Sequence, residues 1–386
     1  LNRMKNLKIV KKLKQEISLY IHIPFCVRKC LYCDFPSFSG MDGMFEDYVR
    51  RLCREMGEAA PSFHGIGVKS VFFGGGTPSI LPPALMGRIM DKIMSAYDVN
   101  SDAEISMEAN PGTLDAAKLR EYKSMYFNRL SMGLQAWQDR LLERLGRIHS
   151  VGEFEDNFLQ ARDAGFKNIN VDLMFSLPGQ TMDDWQETLE KVMRLDPEHI
   201  SAYSLIIEEG TPFFDMYEKG QITETDENTD RRMYYLAKEM LSDKGFRQYE
   251  ISNFAKEGFE CRHNITYWRT EEYRGFGLGA HSYFDGTRFH NSADMKEYMA
   301  GGGHLDMEKL TPEEMQEEFM FMGLRMNEGI SREEFLKRFK TDITSVYGQE
   351  ISELISEGLL TENKGRISLT DRGIDVSNQV FEKFIR

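Results

Sequence analysis

Apolar runs typical of buried strands recur six times between residues 18 and 205, separated by longer segments with the three-to-four-residue periodicity of amphipathic helices. The predicted strands are Ser18–Ile23, Lys69–Phe73, Glu104–Glu108, Arg129–Gly133, Asn168–Phe175 and His199–Leu205. The predicted helices are Met44–Ala60, Pro83–Ala96, Leu114–Met125, Gln138–Leu145, Phe154–Ala164 and Met182–Leu195. Strands that alternate with helices predict a parallel sheet, and six units rather than eight predict a partial, TIM-like (β/α)6 barrel that is open on one side.

From about residue 210 this alternation gives way to a different pattern. Residues 223–242 predict a long polar helix and residues 246–252 a strand, while residues 255–283 predict an ordered functional loop rich in glycine and aromatic side chains. Residues 304–386 predict short helices at 312–326, 331–338 and 350–357 and a final hairpin at 359–369. Helices followed by a hairpin are the pattern of a winged helix.

The predicted fold class is therefore α/β, with four parts along the chain. They are a basic N-terminal extension (1–17), a partial barrel (18–210), a barrel extension (211–303) and a C-terminal winged-helix-like domain (304–386). The last domain carries 11 basic and 17 acidic residues, a net charge of −6. Because DNA binding needs a basic surface, we expect this domain to act as a lid or as a protein contact.

Charge and composition exclude several classes of protein. The whole chain has 48 basic and 62 acidic residues, a net charge of −14, which argues against nucleic-acid binding. No apolar run approaches the roughly 18 residues of a transmembrane helix, and the five cysteines suggest no disulfide framework, so we expect a cytoplasmic protein. The basic residues within 1–16 predict a solvated extension, with a peripheral membrane contact as the alternative.

Three cysteines, Cys26, Cys30 and Cys33, lie close together just after the first predicted strand. Three thiolates on one short loop can hold three irons of a 4Fe–4S cluster and leave the fourth iron open to a ligand. A zinc site is the alternative, but structural zinc usually takes four ligands in two pairs, and no second pair follows. The spacing therefore predicts an iron–sulfur centre, and Cys53 and Cys261 are too isolated to belong to it.

A run of glycines, Gly74, Gly75 and Gly76, comes before Thr77 at the end of the second predicted strand. Consecutive glycines let backbone groups approach a ligand closely. The run lacks the Lys-Ser/Thr ending of a phosphate-binding loop, and on its own it indicates no more than a tight turn.

With Tyr32 directly before the third cysteine, the loop resembles that of the radical S-adenosylmethionine (SAM) superfamily. The resemblance implies that Gly75, Gly76 and Thr77 receive the amino end of SAM. It also implies that a reduced cluster binds SAM at its open iron and passes it one electron, giving a 5′-deoxyadenosyl radical.

Further polar residues match the superfamily in the same order along the chain. The resemblance implies that Glu108 binds an ammonium or hydroxyl group, that Gln135 lies at the ribose of SAM and that Arg147 lies at its carboxylate. It pairs Asp172 with ribose hydroxyls and puts Tyr20 near the cluster. Each of these residues taken alone would more often be structural, so the prediction depends on the set.

The opening of the chain resembles the branch that contains oxygen-independent coproporphyrinogen III oxidase. In that oxidase a further cysteine follows the last cluster cysteine by two residues, whereas this chain has Phe35. The unit His263-Asn264-x2-Tyr267-Trp268 instead resembles the signature of a family of heme chaperones in the same superfamily. That resemblance spans roughly residues 18–380 and implies binding of heme, its delivery to an acceptor protein, and an electron-donor protein.

The residues of this signature have side chains that can bind heme. The imidazole of His263 can ligate iron, and Tyr267 and Trp268 offer flat surfaces to a porphyrin. Cys261 and His281 are further candidate ligands nearby. Two other hypotheses stay open at this point: a coproporphyrinogen III oxidase that decarboxylates two propionates, and a radical SAM heme methyltransferase.

Overall fold

The computed structural model describes residues 15–386, so most of the predicted basic extension lies outside the described residues. The first part of the chain forms six strands that pair in parallel and in chain order. They are β1 (Glu16–Ile23), β2 (Gly67–Gly75), β3 (Asp98–Ala109), β4 (Arg129–Gln135), β5 (Ile169–Phe175) and β6 (His199–Ser204). The predicted α/β fold with six parallel strands is confirmed.

Helices connect these strands at the positions that the hydrophobic periodicity predicts. They are α1 (Phe45–Ala59), α2 (Pro83–Ala96), α3 (Ala116–Ser124), α4 (Asp139–Arg144), α5 (Val151–Asp163) and α6 (Met182–Arg194). Capping boxes define the starts of two of them, because Ser150 and Glu153 satisfy free backbone N–H groups of α5, and Thr181 and Asp184 do the same for α6. The apolar faces of strands and helices share one large core.

The second part of the chain extends both edges of the sheet. Its elements are α7 (Pro212–Glu218), α8 (Glu227–Asp243), β7 (Arg247–Glu250), β8 (Asn253–Ala255), α9 (Arg262–Trp268), β9 (Tyr273–Phe276), β10 (His281–Phe284), β11 (Thr287–His290), α10 (Met295–Met299) and β12 (Leu305–Lys309). Strand β9 pairs in parallel with β1, and β10, β11 and β12 continue from it as an antiparallel sheet.

The prediction of a functional loop at residues 255–283 is therefore wrong in its secondary structure. That segment holds helix α9, strand β9 and the start of β10. The complete sheet has twelve strands in the order β12-β11-β10-β9-β1-β2-β3-β4-β5-β6-β8-β7. Within the described residues its two ends do not pair with each other, so the barrel is partial, as predicted.

The C-terminal module has its own core and a small three-stranded sheet. It comprises α11 (Pro312–Gly323), β13 (Ile330–Ser331), α12 (Arg332–Phe339), α13 (Ile343–Ser356), β14 (Leu360–Asn363), β15 (Arg366–Leu369), α14 (Asp371–Asp375) and α15 (Ser377–Glu382). Since β12 belongs to the large sheet, we place the start of this module at about residue 310 rather than 304. Helices followed by the β14–β15 hairpin match the predicted winged-helix-like pattern.

The C-terminal module packs against the edge of the large sheet. The backbone N–H of Asn327 donates to the carbonyl of Tyr249, and Glu250 forms a β-bridge with Met326. The hydroxyl of Tyr235 donates to Asp375 on α14.

No helix in residues 15–386 has the length and apolar character that crossing a membrane requires.

Candidate functional site

The three clustered cysteines lie on the loop that follows β1, at the carboxyl end of the parallel strands. The loop is held by a short parallel pairing of Phe25–Cys26 with Phe38–Ser39. Cys26, Cys30 and Cys33 are free thiols that line one cavity of about 170 Å³. Parallel α/β folds collect their chemistry at this end of the sheet, because the loops after every strand meet there.

The environment of these thiols suits thiolate ligands of a metal cluster. Burial raises the pKa of Cys26, and it raises the pKa of Cys33 to about 11. The thiols therefore keep their protons unless a cation replaces them, as iron does on ligation. The guanidinium of Arg147 donates to Cys30 Sγ at 3.5 Å.

Among the described residues, no three His, Cys, Asp or Glu side chains converge closely enough to hold a single metal ion. A 4Fe–4S cluster binds each thiolate through a different iron, so it accepts sulfurs that are more widely spaced than one zinc ion does. Cysteines that share a cavity without converging on one point therefore fit a cluster better than the zinc alternative.

The glycine run forms the wall of the cavity next to the cysteines. Gly75 has φ +111°, a conformation that favours glycine, and a Cβ on Gly76 would lie 2.6 Å from the carbonyl oxygen of Phe25. The backbone N–H of Thr77 donates to that same carbonyl at 2.7 Å. The glycines are thus required for the turn to pack directly on the cysteine loop, and they expose backbone to the cavity.

Two carboxyl groups also line the cavity. Glu108 accepts a hydrogen bond from the backbone N–H of Gly75 at 3.3 Å. Burial, with a smaller contribution from the charge of Asp172, raises the pKa of Glu108 to about 8. Asp172 itself accepts hydrogen bonds from Ser131 and Asn170, at 2.9 and 2.7 Å. At neutral pH Glu108 therefore holds a proton.

Gln135 and Arg147 complete the cavity, and each has a buried polar atom without a partner. Gln135 adopts φ 68°, and its Oε1 has no hydrogen bond; nor does Nε of Arg147. Leaving buried polar atoms unpaired costs about 1–3 kcal/mol each, so a polar ligand that pairs with them is favoured. The remaining Arg147 donors are used by Asn110 and by the carbonyl of Gly133, at 2.9 and 2.7 Å.

The structure thus brings ten of the predicted residues together around one cavity. They are Cys26, Cys30, Cys33, Gly75, Gly76, Thr77, Glu108, Gln135, Arg147 and Asp172. A larger open cleft of about 600 Å³ contains none of them and is lined by charged residues near the amino ends of β1 and β2. The volume of a cavity alone therefore does not identify the candidate site.

Tyr20 and His263 lie in an adjoining cavity of about 260 Å³ in the barrel interior. Glu108, Asp172 and Phe35 border both cavities. The hydroxyl of Tyr20 is 3.0 Å from Nδ1 of His22, and its ring stacks on Phe72. Tyr20 is therefore a neighbour of the candidate SAM cavity rather than part of its lining.

The imidazole of His263 is engaged on both sides. Its Nδ1 is 3.0 Å from Ser70 Oγ and its Nε2 is 2.9 Å from the hydroxyl of Tyr267, while the residue is only 1% exposed. Burial lowers the pKa of His263 to about 3, so the ring is neutral. Ligation of iron by His263 stays a prediction, and it requires one of these hydrogen bonds to break.

The other residues of the heme signature are also packed in the described structure. Tyr267 meets the rings of His263 and Tyr273 edge-on, and Arg325 lies 4.5 Å from the ring centre of Trp268. Cys261 is fully buried, with Sγ 3.6 Å from a carboxylate oxygen of Glu104. His281, by contrast, is exposed at the start of β10.

Several residues that line the two cavities were not predicted from the sequence. Asn110, Tyr203 and Ser131 border the cysteine cavity, and Arg129 and Asn170 border the inner one. A signal was available for Asn110, which follows Glu108 by two residues at the same strand end. Arg129 and Asn170 lie on strands with few other polar residues, which is a weaker signal.

A partial parallel barrel with this cysteine loop defines a protein of the radical SAM superfamily. The model of that superfamily matches residues 20–192, and the model of the HemN C-terminal domain matches residues 310–376. Membership implies a 4Fe–4S cluster and SAM. Within the superfamily, the chain belongs to the family of the heme chaperone HemW, as its full-length relatives show.

Two of those relatives are named as heme chaperones. HemW of Bacillus subtilis (strain 168) is 38% identical over 374 residues, which cover 95% of this chain and 99% of that protein. HemW of Lactococcus lactis subsp. lactis (strain IL1403) is 36% identical over 376 residues, or 97% and 98% of the two chains. Coproporphyrinogen III oxidase (HemN) from Escherichia coli shares the fold, with a TM-score of 0.84, 22% identity and coverage of 96% and 90%.

Proposed function

We propose that this protein is a heme chaperone that carries a 4Fe–4S cluster and SAM and transfers heme to an acceptor protein. The observation that carries the proposal is the relationship to proteins named as heme chaperones over almost the whole length of both chains. A relationship of this extent includes the barrel, its extension and the C-terminal module, so it covers every part of the molecule that could hold heme.

The cysteine cavity supports the cofactor half of the proposal. Cys26, Cys30 and Cys33 would hold the cluster, and the glycine turn would expose backbone groups to SAM. When bound, the cluster and SAM supply one-electron chemistry at an adenosyl group. Such chemistry requires an electron donor, which we propose to be a separate protein.

The polar residues of the cavity would bind and orient SAM. Gln135 Oε1 and Arg147 Nε are free to pair with it, and Asp172 offers a carboxylate that is already held by Ser131. The proton that Glu108 holds at neutral pH would leave when a cationic ammonium binds beside it, because the positive charge lowers the pKa of the carboxyl group.

An oxidase that decarboxylates coproporphyrinogen is the competing function, and the shared fold alone favours it. Phe35 argues against it, because this position holds a cysteine in that oxidase. Phe35 is 61% exposed and borders both cavities, so an apolar side chain replaces a thiol at the entrance to the site.

Two parallel assays on anaerobically reconstituted full-length protein separate these functions. We expect heme titration to give saturable binding, and we expect incubation with coproporphyrinogen III, SAM and a reductant to give no protoporphyrinogen. Formation of protoporphyrinogen would refute the chaperone assignment, and so would a lack of heme binding. Cys33→Ala, which removes one cluster ligand, is the control for cofactor-dependent turnover.

A further inference from the structure

Arg129 is a buried arginine in the barrel interior that forms no ion pair within the described residues. It begins strand β4, and only 2% of its surface is exposed. Its Nη1 donates to Ser106 Oγ at 3.1 Å, and its Nε is buried without a partner. Arg274, the other buried arginine of residues 15–386, instead lies 3.4 Å from the carboxylate of Glu55. Because a buried charge without a partner is costly, Arg129 indicates a site for an anion.

The carboxyl groups around Arg129 are engaged elsewhere. Glu104, Asp172 and Glu108 act on its charge through space, but none of them lies within the 4.0 Å of an ion pair. Glu104 accepts two hydrogen bonds from backbone N–H groups of α9, both at 3.1 Å, and Asp172 is held by Ser131. Glu108 holds a proton at neutral pH and so carries no charge. The guanidinium therefore lacks a contacting anion in the protein itself.

Arg129 lines the inner cavity of about 260 Å³, and a second polar side chain without a partner lines it too. That side chain is the amide of Asn264 on α9, which makes no hydrogen bond within the described part of the chain. Its neighbour Tyr267, by contrast, is engaged by Nε2 of His263. A guanidinium and an amide that both have free donors are the groups that bind a carboxylate.

The size and position of the inner cavity limit what it can hold. Its volume is slightly below the roughly 300–1,000 Å³ that is typical of ligand pockets, so it admits a small acid or one arm of a larger molecule and excludes a whole tetrapyrrole. Five residues line both this cavity and the cysteine cavity: Phe35, Gly75, Glu108, Ser131 and Asp172. A ligand of the inner cavity would therefore lie next to the candidate SAM site.

We propose that the inner cavity binds a carboxylate group and that the guanidinium of Arg129 is the group that holds it. The amide of Asn264 donates a further hydrogen bond to the same ligand. The carboxylate belongs to a small organic acid or to one propionate arm of a tetrapyrrole, since both present the same chemistry. This site goes beyond the proposed heme transfer and does not depend on it, because neither the iron nor its ligands take part.

The test is isothermal titration of the full-length protein with propionate, and with propionamide as the uncharged analogue. The cluster is reconstituted anaerobically, and SAM is present so that the neighbouring cavity is occupied. We expect propionate to bind and propionamide not to bind. We expect Arg129→Gln to weaken propionate binding at least tenfold, because a charge-assisted pair is lost. Arg194→Gln removes the same charge from an arginine on α6 that is 70% exposed, and it should match the parent.

Asn264→Asp tests the site without removing the buried guanidinium. The substitution keeps the size of the side chain and breaks no hydrogen bond of the described structure, but it adds a negative charge to the cavity. We expect it to weaken propionate binding at least tenfold as well, because the added carboxylate competes for Arg129 and repels the ligand. This variant decides the result if Arg129→Gln lacks parent-like circular dichroism.

A second titration identifies the source of the carboxylate. It compares metal-free protoporphyrin IX with its dimethyl ester, in which both propionates are blocked. A preference for the free acid that Arg129→Gln abolishes assigns the site to a propionate arm. Equal binding of acid and ester, together with binding of propionate, assigns it to a small acid.

Two results would overturn the proposal. The first is a parent protein that binds propionate no better than propionamide. The second is parent-like affinity for propionate in folded Arg129→Gln and Asn264→Asp proteins. A parent that binds propionate but no heme would refute the proposed function and leave the carboxylate site standing, so the two failures are distinguishable.

Discussion

Glu108 offers a sensitive test of the candidate SAM cavity, because its carboxyl group holds a proton that it would lose in the unfolded chain. Burial raises its pKa from the ordinary value of 4.5 to about 8. Between these two values the folded protein binds one more proton at this position than the unfolded chain does. The free energy of unfolding therefore falls as pH rises through this window.

The magnitude follows from the linkage relation. Each pH unit in the window lowers the free energy of unfolding by about 1.4 kcal/mol, so Glu108 destabilises the protein by about 2 kcal/mol more at pH 7.0 than at pH 5.5. Glu108→Gln removes the titration and keeps an oxygen to accept from the N–H of Gly75. From pH 5.5 to pH 7.0 we expect the free energy of unfolding of the variant to rise by about 2 kcal/mol relative to that of the parent.

The assay is chemical denaturation of the cluster-free protein in a series of buffers from pH 5.5 to 7.0. The quantity compared is the parent–variant difference, because the titrations of other groups cancel in it. Glu143→Gln, a change at an exposed carboxylate on α4, is the matched control. Its free energy of unfolding should change with pH as that of the parent does. A Glu108→Gln protein that also runs parallel to the parent would mean that Glu108 is ionised in the folded state, contrary to the buried cavity described above.

Three further changes test other parts of the structure. Replacing Cys26, Cys30 or Cys33 by Ala should abolish the brown absorbance of the cluster, whereas Cys53→Ala should keep it. Iron content and visible spectra check this result. Gly76→Ala should impair SAM binding and cluster assembly, because its Cβ would displace the carbonyl of Phe25; equal binding in an isothermal titration would contradict this. Asp375→Ala should destabilise the C-terminal module by about 1–2 kcal/mol, since Tyr235 and Arg231 both lose the carboxylate to which they donate; unchanged protease sensitivity of that module would refute it.

The parallel strands were predictable because each is a buried apolar run and helices separate one from the next. Lys69–Phe73, for example, lies within the observed strand Gly67–Gly75. The antiparallel strands were missed for a physical reason. Strands such as Thr287–His290 are four residues long and only partly buried, so they show no apolar run, and β9 is stabilised by pairing with the distant β1.

The candidate site was predictable to a similar degree. Cysteine spacing and residue order predict ten residues that the structure brings to one cavity, since these residues lie on successive strands or on the segments that follow them. Spacing carries no information on hydrogen bonds, however, and so it could not reveal that both nitrogens of His263 are occupied. The accessible ring of His281 depends on strand register, which only the folded chain provides.

The outermost strand, Leu305–Lys309, bears on how an acceptor protein can approach. Exposed edge strands invite foreign strands to extend the sheet, and this one opposes such growth with the charges of Asp306, Glu308 and Lys309. A pairing irregularity beside His290 and the left-handed φ of 49° at Asp306 further disrupt the backbone ladder. A recipient of heme that comes from this side must therefore recognise side chains, because the strand offers a poor template for main-chain addition.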